Sequence, residues 1–398
     1  MKITINKKNY NLIFKHLSKI SSKAKKYNAL LSRPILIYRD NCIDLYSTDL
    51  DNSLRFTLRN KESISDNDKV YPLNDFKFMD NDNLINFSNT DNRFIVSDNI
   101  KTYKSKDFIP YSELSPLLEN RINSQDATSI YTIDSLNNAN KFIKKYKKAM
   151  IHSSKYDLNN ILGSVSVSDK TLRSSDGARA YFAYHSSQIA EMDKNNKDDN
   201  HVNIPYNVGQ FMVNLLTDIT KNCLEFHYLS IFKAKDKGLI LASYEIGTDT
   251  ITLEYSFSVF EQTYPDLIEI VPIKKQRLDI YNFENKLASK AFSSIKNDVD
   301  EITNMVKLSN DLISAYNKDY DQDIEIKLKS EIDYSLDVAL NNQFLLDSIK
   351  CNDLDQLILQ CENKADIVNN NMSYHLQSPC LIPTGNNEYI TLMPLKAF

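Results

Sequence analysis

The chain has 398 residues, of which 42% are apolar and 25% charged, and its formal net charge is −4. That length allows two or three domains with real cores, and the composition excludes a disordered chain. No apolar run reaches the ~20 residues of a membrane span, and the first residues read as a strand and not a signal peptide.

In chain order, Lys2–Asn6 alternates as a strand, and residues 10–26 follow with Leu12, Ile13, Leu17 and Ile20 at helical spacing. Pro34 closes this region. Ile35–Tyr38 and residues 42–47 read as a strand pair, continued by a strand at 54–58. Asn74 then stands where an N-cap belongs, ahead of Phe76, Phe78 and Met79. Its side-chain oxygen can accept a backbone N–H that the first helical turn leaves unpaired. Asn207 holds the same place ahead of Phe211, Met212, Leu215 and Leu216, and Asn341 ahead of Leu345, Leu346 and Ile349. Residues 193–200 read as a polar loop and 250–257 as an alternating strand.

These caps belong to an internal repeat. Pro72-Leu73-Asn74-Asp75-Phe76-Lys77-Phe78-Met79 recurs as Pro205-Tyr206-Asn207-Val208-Gly209-Gln210-Phe211-Met212, and more loosely as Ala339-Leu340-Asn341-Asn342-Gln343-Phe344-Leu345-Leu346. The three asparagines are 133 and 134 residues apart, so three copies of one unit fill the chain. Boundaries are expected at 119–127 and 272–277, which gives domains 1–125, 126–273 and 274–398.

Charge is sorted along each copy. Residues 1–39 hold ten Lys and Arg and no acid; residues 135–156 hold six Lys and no acid; residues 285–297 hold three Lys and no acid. These segments carry +19, so the remainder carries −23. Such sorting predicts a positive surface built from the first helix of each copy and a negative surface elsewhere.

Catalytic signatures are missing. With six glycines the chain has no GxGxxG and no GxxxxGK[ST], and the Gly163-Ser164-Val165-Ser166-Val167 segment lacks the second glycine of a nucleophile elbow. The six histidines are isolated. The five scattered cysteines form no CxxC and no zinc spacing. No metal or cofactor is expected, and a reducing cytoplasm is the expected location. Asp49, Asp51 and Asp176 are the candidate acids if the chain were a hydrolase or transferase, but an aspartate in a turn more often bonds its own backbone.

Several local motifs share one resemblance. Arg33-Pro34-Ile35-Leu36 and Thr48-Asp49-Leu50-Asp51 are similar to the L-P-I-L and T-D-L-E segments of the bacterial DNA polymerase III beta subunit, the sliding clamp. Ser175-Asp176-Gly177-Ala178-Arg179 resembles that family's T-D-G-H-R turn, Tyr264-Pro265-Asp266 its F-P-D-Y, and Leu392-Met393-Pro394-Leu395-Lys396 its closing V-M-P-M-R. Each motif is weak alone, but all five fall in the family's order on the repeat's period.

The resemblance implies an α+β fold of three repeated clamp domains, each with two helices packed on antiparallel sheets. It implies that two chains close head to tail into a six-domain ring around duplex DNA, which tethers polymerase and other replication proteins without catalysis. The lysines that would face DNA are Lys15, Lys19, Lys23, Lys25 and Lys26, then Lys141, Lys144, Lys145 and Lys148, then Lys286 and Lys290. Long flexible ammonium groups suit non-specific phosphate contact.

The family's pocket for short linear peptides of polymerase and loader maps onto Leu158, Ser175, Gly177, Ala178, Arg179 and Ala180. Its other walls map onto Pro265, Ile270, Asn341 and Phe344, and onto Leu392, Met393, Pro394 and Leu395. The family's turn histidine is Ala178 here, its following leucine is Ala180, and Glu269 replaces a basic residue, so the partner peptides are expected to differ. Tyr103 and Phe292 are the expected apolar residues of the ring seam. The competing reading is a repeat scaffold that binds proteins and does not encircle DNA.

Overall fold

The computed structural model describes residues 2–24, 31–38, 42–58, 69–73, 84–90, 93–98, 100–105, 108–112, 114, 127–155, 160–185, 200–246, 249–265, 277–299, 304–309, 311–317, 322–330, 337–362, 379–385 and 387–395. The Asn74 cap, the loop at 193–199 and most of both expected boundaries lie outside the described residues.

The second and third copies share one element order, which the described strands and first helix of the first copy follow, with a short additional strand at the end. The first copy runs β1 (Lys2–Asn6), α1 (Lys7–Ala24), β2 (Ile35–Tyr38), β3 (Ile43–Thr48), β4 (Ser53–Leu58), β5 (Lys69–Pro72), β6 (Leu84–Thr90), β7 (Arg93–Ser97), β8 (Thr102–Ser105) and the short β9 (Ile109–Pro110). The second runs β10 (Thr128–Ile133), α2 (Leu136–Ile151), β11 (Ser164–Ser168), β12 (Thr171–Ser175), β13 (Arg179–Tyr184), β14 (His201–Pro205), α3 (Tyr206–Asn222), β15 (Glu225–Ala234), β16 (Lys237–Ile246) and β17 (Asp249–Ser258). The third runs β18 (Arg277–Glu284), α4 (Asn285–Ser294), β19 (Met305–Ser309), β20 (Leu312–Asn317), β21 (Gln322–Lys327), β22 (Val338–Asn341), α5 (Asn342–Cys351), β23 (Gln356–Glu362), β24 (Cys380–Gly385) and β25 (Glu388–Leu392).

Every copy builds the same two antiparallel ladders. One has the order β1-β6-β7-β8, β10-β15-β16-β17 or β18-β23-β24-β25; the other β5-β2-β3-β4, β14-β11-β12-β13 or β22-β19-β20-β21. Ladders of successive copies then fuse in the same way. The third strand after the first helix of one copy pairs with the last strand of the next: β4 with β17, and β13 with β25. The result is a nine-stranded and an eight-stranded sheet, with two four-stranded sheets besides.

The chain accordingly divides into two units, Met1–Lys144 with Asn207–Glu261, and Lys145–Tyr206 with Gln262–Phe398. In the first, α1 buries Tyr10, Ile13, Leu17, Ile20 and Ala24, a stripe at three- and four-residue spacing, and packs on β3 and β4. At the β4–β17 joint, Arg55 bonds buried Asp44 of β3 at 2.5 Å and Glu254 of β17 at 3.3 Å. Thr57 Oγ1 also donates to Asp44, at 2.7 Å, so this buried carboxylate has charged and neutral donors.

In the second unit, α4 and α5 pack together, with α4 on β18 and β23 and α5 on β22 and β24. Phe292 of α4 is fully buried, and its carbonyl accepts from Asn342 Nδ2 at 3.1 Å. Its assignment to a ring seam is therefore corrected: an aromatic on the inner stripe of a short helix belongs to that helix's own core. Tyr103 is half-buried on β8, the outermost strand of its ladder.

The repeated asparagines differ by one residue. Asn341 is the N-cap of α5, accepting from Phe344 N at 3.1 Å. Asn207 is instead the second residue of α3, and its oxygen accepts from the next amide, Val208 N.

Candidate functional site

The first helix of each copy exposes lysines. α1 starts where Asn6 Oδ1 accepts from Lys8 N at 2.8 Å, and α2 where Ser135 Oγ accepts from Asn138 N at 3.3 Å. Opposite the buried stripe, α1 exposes Lys8, Lys15, Lys19 and Lys23. Lys15 bonds Asp218 of α3 at 2.7 Å while staying 55% exposed. The same carboxylate takes His16 Nε2 at 2.9 Å, and burial holds the His16 imidazole below its ordinary pKa although Asp218 opposes this.

α2 exposes Lys141, Lys144 and Lys147, a set at three-residue spacing that adds Lys147 to the residues expected from sequence. α4 exposes Lys286 and Lys290, and Lys296 follows just beyond it. Lys25 and Lys26 lie outside the described residues.

Two expected DNA contacts on α2 are otherwise occupied. Lys145 is half-buried and donates to the Tyr184 carbonyl at 2.8 Å. Lys148 is 6% exposed and its ammonium lies 2.7 Å from both Asp353 and Glu388. Tyr181 Oη donates to the same Glu388 at 2.9 Å. Lys148 is thus a buried structural cation and its assignment to DNA is corrected. The reason is that the last turn of α2 is covered by β25 and the segment after α5, which supply the two carboxylates. One turn on, buried His152 donates from Nδ1 to the Lys148 carbonyl at 2.8 Å. Burial, and then nearby Arg179, hold its pKa down at about 4, so the ring stays neutral.

The second candidate surface gathers at the β12–β13 turn. Gly177 has φ +92°, a conformation that disfavours any side chain. Asp176 Oδ1 accepts from Ala178 N at 3.1 Å and Arg179 N at 3.0 Å, while Ser175 Oγ accepts from Gly177 N and donates to the Arg179 carbonyl. The Arg179 guanidinium then meets four partners. It donates to Asp176 at 2.8 Å, Asp347 of α5 at 2.8 Å and the Ile151 carbonyl at 2.9 Å, and stacks 4.4 Å from the centre of the Phe344 ring. Burial opposes ionisation of Asp347, but the hydrogen bonds from Arg179 and Lys350 bring its pKa below the ordinary value. Sequence reasoning missed Asp347, because nothing in its local pattern marks it as the partner of an arginine 168 residues earlier.

The segment after β25 runs past this turn. Leu392 lies opposite Arg179, Met393 N donates to the Ala178 carbonyl at 3.0 Å, and Leu395 N donates to the Ala339 carbonyl at 2.8 Å. The structure therefore brings together Gly177, Ala178, Arg179, Asn341, Phe344, Met393, Pro394 and Leu395, all at least partly accessible. Pro265 is exposed beside buried Tyr264, whose phenol feels Arg173 and Asp176. Ser175, Ala180 and Leu392 are 4%, 1% and 1% exposed; they hold the strands together from within and offer no surface, which corrects their assignment to the pocket wall. Leu158 and Ile270 lie outside the described residues.

Two of the candidate acids cap their own turns, Asp49 by accepting from Asn52 N at 2.7 Å and Asp176 as above. Among the described residues no cluster of His, Cys, Asp and Glu could hold a metal ion, and no helix is long and apolar enough to cross a membrane.

The sequence matches no protein-family model and no curated protein. Solved structures are similar along the whole chain. The DNA polymerase III subunit beta of Pseudomonas aeruginosa is 16% identical with a TM-score of 0.68, all of both chains being covered. The DNA polymerase sliding clamp of Bacillus subtilis is 13% identical with a TM-score of 0.68, and the DNA polymerase III beta subunit of Thermotoga maritima 16% identical with a TM-score of 0.64, again over all of both chains. From its first strand to its last, the chain has the fold of the bacterial sliding clamps.

Proposed function

We propose that this chain is a DNA sliding clamp, a non-catalytic processivity subunit in the cytoplasm whose homodimeric ring encircles duplex DNA and tethers polymerase and other replication or repair proteins. The observation that carries this reading is the full-length likeness to sliding clamps together with acid-free helices that expose lysine in each copy. A ring that holds DNA topologically needs only weak attraction to phosphate, since tight binding would oppose sliding. Lys19, Lys23, Lys141, Lys144, Lys147, Lys286 and Lys290 fit that need better than bidentate arginines would.

Ring closure is supported by the strand joints. The pairing that fuses the first copy to the second, and the second to the third, has a third equivalent: β21 with β8. These are the outermost strands of their four-stranded sheets. A second copy of the chain, arranged head to tail, supplies the partner for each, and Tyr103 lies on that edge. Domains with boundaries near 125 and 273 follow from the same threefold order.

Partner peptides would lie along Gly177, Ala178, Phe344 and Met393–Leu395, an apolar groove with backbone anchors. Alanine at 178, where the family has a larger residue, implies partners with a different anchor. The test is retention on DNA. The protein, loaded on a nicked circle, should stay bound through a wash in moderate salt and be lost once the circle is linearised. Equal loss from circle and linear DNA would favour a scaffold that does not encircle DNA.

A further inference from the structure

The third copy contains a chemical pair that the clamp reading does not use. Strands β23 and β24 are antiparallel with Gln360 opposite Leu381, and that register sets Cys361 opposite Cys380. The row continues on both sides, with Leu278 of β18 opposite Cys361 and Leu392 of β25 opposite Cys380. Directly opposed residues of an antiparallel pair have Cα atoms about 4.5 or 5.5 Å apart, according to the pair type. A disulfide is accommodated at roughly 4.4–6.8 Å, so the Cα separation of either pair type lies within its reach. Burial, and then the nearby Cys361, raise the pKa of the Cys380 thiol. All five cysteines are reduced thiols, and both members of this pair are fully buried. Cys42 and Cys223 belong to the other unit, and Cys351 sits on α5 among Lys148, Asp347 and Arg179.

We propose that Cys361 and Cys380 form a cross-strand dithiol that a hydroperoxide closes to a disulfide in place, a redox modification site within the third copy. The sulfur of one cysteine attacks the peroxide; the O–O bond breaks, water leaves and a sulfenic acid forms. The second sulfur attacks the first, the S–O bond breaks and a second water leaves. Two thiols and one hydrogen peroxide give one disulfide and two waters, the sulfurs losing two electrons to the peroxide. Burial keeps the Cys380 thiol protonated and shuts out the oxidant, so the reaction proceeds through local opening of β23 and β24. The same burial then shields the bond from reductants. The link also restricts the unfolded chain between the two strands.

The test uses the full chain treated with hydrogen peroxide in sub-denaturing urea, alkylated, and mapped without reduction. The expected product joins the Cys361 and Cys380 peptides, is about two mass units lighter, and loses two alkylatable thiols in full denaturant. Its melting temperature should rise by roughly 5 °C and return after dithiothreitol. Cys361→Ser should abolish the product, and Cys223→Ser should leave it unchanged. Since Cys361→Ser could misfold, the map of the unsubstituted chain decides. Retention of all five thiols, or a link through Cys42, Cys223 or Cys351 in its place, overturns the proposal. Because it rests on strand register alone, it stands or falls apart from DNA retention.

Discussion

Lys148 shows how far one residue's environment can depart from its sequence. It lies seven residues after Lys141, two helical turns along nearly the same face, yet Lys141 is solvated and Lys148 is enclosed with Glu388 and Asp353. Helical period tells which residues share a face; it does not tell which part of that face another strand will cover. Removing one partner of a buried ion pair leaves the other charge uncompensated, which costs on the order of 3 kcal/mol. Lys148→Met should therefore lower the urea midpoint, and adding Glu388→Gln should recover a large part of the loss. An unchanged midpoint for the single variant would show that the pair adds no net stability. Arg179 follows the same logic. Its motif was legible in the sequence, but its engagement by Asp347, Ile151 and Phe344 makes it a structural link between β13, α2 and α5 and not an open charge.

At the scale of elements, most of the reading was local and therefore legible. The apolar spacing of residues 10–26 marked α1, although the helix begins at Lys7, because Asn6 can cap it there. The alternation at 250–257 marked β17, and the cap at Asn341 is where the repeat placed it. Helix starts also mattered for charge: the acid-free segments are the first helices of each copy, so most of their lysines stay in water. Lys15 is exposed but also engaged, since Asp218 reaches it from a helix about two hundred residues later. Replacing Lys19, Lys23, Lys144 and Lys147 by Glu should weaken retention on the closed circle. It should also flatten the salt dependence, lowering the log–log slope by up to about one for each phosphate no longer neutralised. Thermal melting should be unchanged, since all four are exposed; unaltered retention would remove these helices from the DNA-facing role.

For the whole molecule, three copies in sequence became two units in space because the joints between copies are continuous ladders. The second copy is divided between the units: β15–β17 join the sheet of the first copy and β11–β13 the sheet of the third. If β8 and β21 form the remaining joint, the protein should sediment as a dimer at micromolar concentration, and Tyr103→Asp should shift it toward monomer while each unit melts as before. A monomeric unsubstituted chain would count against the ring. By itself the sequence determined the number of copies, the kind of elements in each and the helices that carry positive charge, because these depend on spacing along the chain. Only the tertiary structure decided which lysines remain in water, which aspartate holds Arg179, that Phe292 is core, and that two cysteines face each other across a strand pair. Those outcomes depend on the meeting of residues far apart in the chain, and no local pattern encodes them.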